Sequence, residues 1–397
     1  MTITLSRRVT QIKPSPTLRL SAEANRLKAS GKPIINLTVG EPDFDTPEFI
    51  KRAAHQALDQ GFTKYTAVDG IPSLKKAIID KFKKENKLDY QTEQIIVSSG
   101  AKQSIYNLMQ ALLNPNDEVI IPAPYWVSYP DMALLAEAKP IYIPTSIEQK
   151  LKITPQQLSE AITDKTRLFI INSPSNPTGM VYSREELLEL AKVLVGKPQV
   201  LILTDDIYEH IYWGKQPFEN IINVCSELYS RTLVLNGCSK AYAMTGWRIG
   251  YTAGPKELIK AMANIQSQST SNPNSIAQKA AEAALTGNQS CVQGMNKIYQ
   301  KRHTFFSEGL NNIPGIKCLP AVGAFYCFPS CESFIGKNKA FSDDYKLADY
   351  LLEKANIATV PGSAFGAPGY LRLSFAIDQL ILNKALNQLK EAFENLN

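Results

Sequence analysis

Residues 231–250 read RTLVLNGCSKAYAMTGWRIG. Arg231–Leu235 is a short apolar run of strand type, and Arg248–Thr252 begins another. Between them, small residues surround one lysine, Lys240, and Arg248 follows in the same stretch. A single lysine usually belongs to a solvated face. This one stands just past the carboxyl end of a strand, where open α/β sheets hold their ligands. That position argues for a lysine in a site.

Working outward, strand candidates recur at Ile95–Val97, Glu118–Ile121, Arg167–Ile171 and Val200–Leu203, with helical stretches such as Ala101–Leu113 and Arg184–Leu194 between several of them. Thr46-Pro47-Glu48 reads as a helix start, with Thr46 as N-cap and Pro47 in the first turn. Apolar positions at Ile50, Ala53, Ala54, Ala57 and Leu58 form one face, and Gly61 ends the helix. The alternation predicts an α/β fold, a three-layer α/β/α domain with a mostly parallel sheet over about residues 46–286. Past that point the pattern changes. A helix around Met295–Leu310, strands near Ala324–Phe328 and Tyr370–Ala376, and a helix around Ile381–Asn395 predict a smaller α+β domain over 287–397. Residues 1–45 are expected to join it or to form an arm.

Of the 397 residues, 44% are hydrophobic, ample for a buried core. The net charge of +6 is spread thinly and gives no case for nucleic acid; Lys75-Lys76 and Lys83-Lys84 read as solvated helix faces. No apolar run is long enough for a membrane span, and MTITLSRRVTQIKPS lacks the apolar stretch of a secretory signal. Six cysteines without a C-x-x-C and three scattered histidines argue against a metal site and for reduced thiols in a cytoplasmic protein.

Three further segments sit at strand ends. Val97-Ser98-Ser99-Gly100-Ala101-Lys102 turns from strand to helix through small residues, which either makes a plain turn or exposes helix N–H groups to a phosphate. Asn172–Gly179 (NSPSNPTG) is either a Pro-Gly loop or places Asn176 on a ligand oxygen. Thr204–Glu209 (TDDIYE) offers an acid that either caps a helix or faces a bound cation.

Together these segments resemble the fold-type I, class I aminotransferases. The resemblance runs in order through LTVGEPDFDTP, KYTAVDGIP, SSGAKQ, PAPYWVSYP, NSPSNPTG, TDDIYEH, SKAYAMTGWRIG and YLRLSFA, and is strongest toward the bacterial aspartate/prephenate branch. It implies transamination between an amino acid and a 2-oxo acid, with aspartate and glutamate/2-oxoglutarate foremost and prephenate as a further acceptor. It also implies pyridoxal 5′-phosphate, held covalently by Lys240, which then shuttles a proton as base and acid. Asp205 matches the acid that pairs with the cofactor's ring nitrogen, and Asp206, one residue on, is expected to point elsewhere. Asn176 and Tyr208 match the pair on its phenolic oxygen. Trp126 matches the aromatic packed on its ring, with Tyr125 as competitor.

By the same resemblance, Gly100, Ala101, Lys102, Ser239 and Arg248 hold the phosphate, with Gly237 standing where some relatives have a serine. Tyr65 matches a tyrosine that reaches the neighbouring subunit's phosphate, implying a homodimer with shared sites. Arg372 matches the clamp on the substrate α-carboxylate. Gly40 lets backbone approach the substrate, and Lys13 matches a lysine associated with prephenate. Trp126 and Asn176 would touch substrate as well. A second carboxylate needs a second cation, for which Lys13 or a partner residue is the candidate. Other readings are an aromatic aminotransferase and a carbon–sulfur β-lyase sharing the cofactor residues. A serine hydrolase at Gly237–Ala241 lacks the final glycine of its turn. A regulator built on this fold would need an added DNA-binding domain.

Overall fold

The computed structural model describes residues 3–14, 16–337 and 339–396. A short strand, β1 (Ile35–Asn36), precedes the strands of a seven-stranded sheet: β2 (Ile95–Ser98), β3 (Glu118–Pro122), β4 (Lys139–Ile143), β5 (Thr166–Asn172), β6 (Leu201–Asp205), β7 (Thr232–Gly237) and β8 (Gly250–Ala253). Their spatial order is β2-β8-β7-β6-β5-β3-β4. Pairings from β7 to β4 are parallel, and β8 runs antiparallel to both of its neighbours. The carboxyl ends of β2, β3, β5, β6 and β7 therefore share one rim, and the amino end of β8 arrives at the same rim.

Successive residues of these strands face opposite sides, and both sides are apolar. Ile120, Phe169, Ile171, Ile202 and Val234 pack into one buried layer with Leu187, Leu190 and Ala280. Val119, Ile121, Leu168, Ile170, Leu203 and Leu235 pack into another with Ile105, Leu108 and Met262. Helices cover both faces, which is why the strands read as continuous apolar runs. The mostly parallel α/β sheet is as the sequence predicts. The strand missed by the periodicity is β4: it lies at the sheet edge, contains Pro140 and is largely uncovered, so its apolar signal is weak.

The helix after Thr46 is Glu48–Asp59, and here the expected cap is corrected. Pro47 occupies the cap position without a side-chain bond. The Thr46 hydroxyl instead donates to the Ala243 carbonyl (2.6 Å) and accepts from Trp247 Nε1 (3.0 Å), tying this helix start to the Lys240 loop.

Later in the chain, helix Ser290–Asn311 leads to β9 (Tyr326–Cys327), β10 (Ile357–Ala358), β11 (Val360–Pro361) and β12 (Leu371–Ser374). β11, β12 and β9 form an antiparallel sheet, while β10 pairs with β1 in parallel. The closing helix Gln379–Glu394 packs on Ser290–Asn311 through Phe306, Leu310, Leu382, Leu389 and Phe393. The amino-terminal helix Arg7–Gln11 lies against Ser128–Leu135. Among the described residues, no helix is long and apolar enough to cross a membrane.

Candidate active site

A cavity of about 640 Å³ opens at the shared rim. Gly40, Ala101, Lys102, Trp126, Asn176, Asp205, Tyr208, Ser239, Lys240, Arg248 and Arg372 all line it.

One end is built for an anion. Helix Ala101–Leu112 starts directly after β2, so its first N–H groups, which have no partner within the helix, point toward the rim. A Cβ on Gly100 would lie 2.1 Å from Arg248 Nη2, and one on Gly250 would lie 2.1 Å from the Ala101 nitrogen. Bare glycines at both positions let the guanidinium settle over the helix start. Arg248 reaches there with a backbone φ of +57°, a conformation few side chains adopt, and bonds the Thr245 carbonyl at 3.0 Å. Ser239 completes this end.

At the centre, Lys240 sits in a single helical turn, Cys238–Ala241, and its Nζ donates to the Gly40 carbonyl. Among the described residues no carboxylate pairs with it. Burial lowers its pKa to about 8; the Glu41 charge works against that, while Arg372 and Arg248 add to it. Facing it, Asp205 ends β6 and is buried. Its Oδ2 accepts from the Tyr129 hydroxyl (2.5 Å) and its Oδ1 from the Ile207 N–H (3.2 Å). Burial raises the Asp205 pKa to about 6, opposed by those two bonds and by Lys240. Asp206 turns to the far side, where it accepts from Thr204 Oγ1 (2.6 Å) and Asn220 Nδ2 (2.9 Å).

The other end carries Arg372, on β12. Nη1 donates to Asn176 Oδ1 (3.1 Å) and Nη2 to the Thr38 carbonyl (2.6 Å), while Nε is buried with no partner. The guanidinium lies over the rings of Tyr326 (4.5 Å) and Phe365 (5.1 Å). No carboxylate pairs with it among the described residues, and a buried cation left without an anion is costly. The donor set fits an incoming carboxylate. Tyr208 exchanges a hydroxyl bond with Tyr326 (2.8 Å), and Asn172 braces the Asn176 loop, donating to the Asp205 carbonyl (2.8 Å) and accepting from the Asn176 N–H (2.8 Å).

Of the two neighbouring aromatics, Trp126 faces the cavity, whereas Tyr125 stacks on Tyr142 with centroids 5.2 Å apart. Lys102 Nζ stands 4.9 Å from the Trp126 ring centroid, and burial, then Arg248, lowers its pKa. Three site residues from the sequence reading do not line this cavity: Gly100, which sits under Arg248 at the helix start, Tyr65 and Lys13. Tyr65 is 92% exposed, and Lys13 is exposed beside Asp131. Conversely, Tyr129, Tyr326, Asn172 and the helix residues Thr17, Leu18 and Ser21 line it without having been singled out. Tyr326 lies in the apolar stretch Ala324–Phe328 and Tyr129 near the end of PAPYWVSYP; only their hydroxyl partners distinguish them.

An anion cradle, an acid-free amine of lowered pKa and a buried carboxylate thus suit a phosphorylated aldehyde whose ring carries a basic nitrogen. Consistent with this, the chain matches the family model "Aminotransferase class I and II" over residues 32–389 and belongs to that family of pyridoxal-phosphate enzymes, with the fold-type I architecture. It is similar to the aspartate/prephenate aminotransferase of Nitrosomonas europaea, 58% identical over 390 residues covering 97% of this chain and 98% of that one. The enzyme of that name from Cereibacter sphaeroides is 50% identical over 97% and 98% of the two chains. Among solved structures, the aspartate aminotransferase of Rhizobium meliloti superposes with a TM-score of 0.96 at 45% identity over 100% of both chains. The Thermus thermophilus aspartate aminotransferase with maleate gives 0.93 at 42% identity, over 98% of this chain and 100% of that one.

Proposed function

We propose that this aminotransferase takes the amino group of L-aspartate, with glutamate/2-oxoglutarate as the partner pair and prephenate as a further acceptor. The names of its relatives support the substrates, and one observation from the chain itself carries the reading. Besides Lys240 and Arg248, the cavity is lined by Arg372 and Lys102, neither of which has an acid within salt-bridge distance among the described residues. Arg372 suits an α-carboxylate, because its fork can give two parallel bonds. Lys102 then remains for a second carboxylate, and maleate in the Thermus relative is a dicarboxylate as well.

In this reading Lys240 holds the cofactor aldehyde, and the Gly100, Ala101 and Lys102 N–H groups, Ser239 and Arg248 hold its phosphate. Asp205 pairs with its ring nitrogen, Asn176 and Tyr208 with its phenolic oxygen, and Trp126 covers its face. Pyridoxal 5′-phosphate supplies an electron sink for the electrons released at the substrate Cα. The chain supplies the rest. Arg372 fixes the carboxylate and so orients the Cα–H bond. The amine of Lys240, easily deprotonated at its lowered pKa, takes the proton at Cα and returns it as an acid. Asp205, whose ionised form the Tyr129 hydroxyl favours against burial, would face the ring nitrogen and favour positive charge there. Gly40 leaves room beside the Tyr326 hydroxyl, which a Cβ would approach to 3.0 Å.

Tyr65, exposed on its own chain, would serve a second copy's phosphate, which makes the working form a homodimer. Lys13 would join Lys102 at the mouth when prephenate binds. The cytoplasm suits the six unpaired cysteines. The deciding experiment is steady-state kinetics with L-aspartate and 2-oxoglutarate, followed by prephenate as acceptor. Glutamate and oxaloacetate are expected. Pyruvate and ammonia from a sulfur amino acid, with no transamination, would instead identify a β-lyase.

A further inference from the structure

Behind the loop that carries Asp205 and Tyr208, on the side away from the cavity, lies a buried charged cluster that the reaction does not use. Lys81 donates to Glu209 Oε1 and to Asn86 Oδ1 (2.8 Å). Asn86 Nδ2 donates to Glu209 Oε2 (2.7 Å), and Asn236 Nδ2 donates to Glu209 Oε1 (2.7 Å). All four side chains are buried. Outside this core, His210 Nδ1 lies 3.6 Å from Glu209 Oε1, and its Nε2 meets Glu85 at 2.9 Å.

A buried ion pair adds little net stability over apolar packing of the same shape, so what it connects matters more than what it weighs. Glu209 directly follows Tyr208. Lys81 ends helix Pro72–Lys81, where the backbone widens into a π-helical turn, Phe82–Asn86, that brings Asn86 inward. Asn236 is the second-to-last residue of β7, four before the lysine: its Oδ1 accepts the N–H of Gly237, which caps the helical turn bearing Lys240. β6 and β7 pair in register only as far as Asp205 and Leu235, and one backbone bond, Asp206 N–H to the Leu235 carbonyl, lies beyond. Past that point the Glu209 carboxylate spans the gap between the two strand ends.

We propose that Glu209, with Lys81 as its counter-ion, is a positioning residue that clasps the Asp205–Tyr208 loop to Asn236–Gly237. It thereby fixes the spacing between the groups that hold the cofactor ring and the amine that holds its aldehyde. This rests on the cofactor assignment made above.

The test measures two properties of the cofactor-free protein titrated with pyridoxal 5′-phosphate: the dissociation constant, and the pH midpoint of the bound cofactor's absorbance change. Asn236→Ala cuts the link to β7 and leaves the Lys81–Glu209 pair whole; Glu209→Gln keeps the shape and removes the charge. Both are expected to bind the cofactor about tenfold or more weakly, the effect of one lost charge-assisted bond, and to move the midpoint. Cofactor-free Asn236→Ala should melt below the parent, since Glu209 Oε1 and the Gly237 N–H each lose a buried partner, but should still fold because the ion pair survives. If Glu209→Gln does not fold, Asn236→Ala decides. A folded Asn236→Ala that binds within about twofold of the parent, with an unmoved midpoint, overturns the clasp alone. A parent protein that takes up no cofactor overturns the cofactor assignment and the clasp with it.

Discussion

The Tyr129 hydroxyl donates to Asp205 Oδ2 across 2.5 Å in the interior of the protein. Burial pushes the carboxyl up and this bond pulls it down, leaving it at about 6. Tyr129→Phe removes the downward pull, so the Asp205 value rises. In the cofactor-free protein the acid limb of pyridoxal 5′-phosphate binding against pH should then move to higher pH, and kcat near neutrality should fall about tenfold, the effect of one bond to a charged group. An unmoved acid limb would sever Tyr129 from the chemistry.

The lowered pKa of Lys240 sets when the free protein can react. Its folded value, about 8, lies below the ordinary lysine range. The neutral amine is therefore abundant above about pH 8, and the charged form takes over below it. The rate of pyridoxal 5′-phosphate uptake by cofactor-free protein should rise with pH and level off above that value. Stopped-flow absorbance across the range checks this; a rate still climbing steeply at the ordinary lysine value would contradict it.

Gly250→Ala tests the anion cradle. The new Cβ would lie 2.1 Å from the Ala101 nitrogen, a backbone atom that cannot swing aside. The helix start must shift, and phosphate contacts suffer more than ring contacts. The preference for pyridoxal 5′-phosphate over pyridoxal should shrink by about tenfold or more, read from paired binding titrations. Equal weakening toward both compounds would point to general damage instead.

Lys102→Met addresses the second carboxylate. Methionine keeps the packing against Trp126 and removes the charge. The ratio of kcat/KM for aspartate to that for an apolar amino donor should drop about tenfold to a hundredfold. An unchanged ratio would hand the side-chain carboxylate to Lys13 or to the partner subunit.

Much of this was written into short segments. The apolar runs behind Asn172, Asp205 and Gly237 announced a buried parallel sheet, because both of its faces are covered. The small residues before Lys102 left a plain turn and a phosphate-binding helix start both open; the 2.1 Å approaches at Gly100 and Gly250 show why that turn has to stay bare. Resemblance supplied roles that spacing could not, and the cavity gathers most of the residues so named. What stayed hidden depends on long-range folding. Tyr129 meets Asp205, and Tyr326 meets Tyr208, from segments distant in the chain. Lys75 reads as part of a solvated helix face, yet it is buried and paired with Asp69 at 2.5 Å. Thr46 looks like a helix cap because nothing local reveals that Ala243 competes for its hydroxyl.

β8 returns antiparallel to β7, so Lys240 and Arg248 belong to a single loop between adjacent strands. The two footings of the cofactor are thus bolted to one short bracket, whereas Arg372 rides on β12 in a different sheet. A shift of that second sheet would tighten or slacken the grip on substrate and leave the bracket's length unaltered. The hold on the α-carboxylate, which every amino donor carries, can therefore be adjusted on the β12 side without retuning the cofactor's seat.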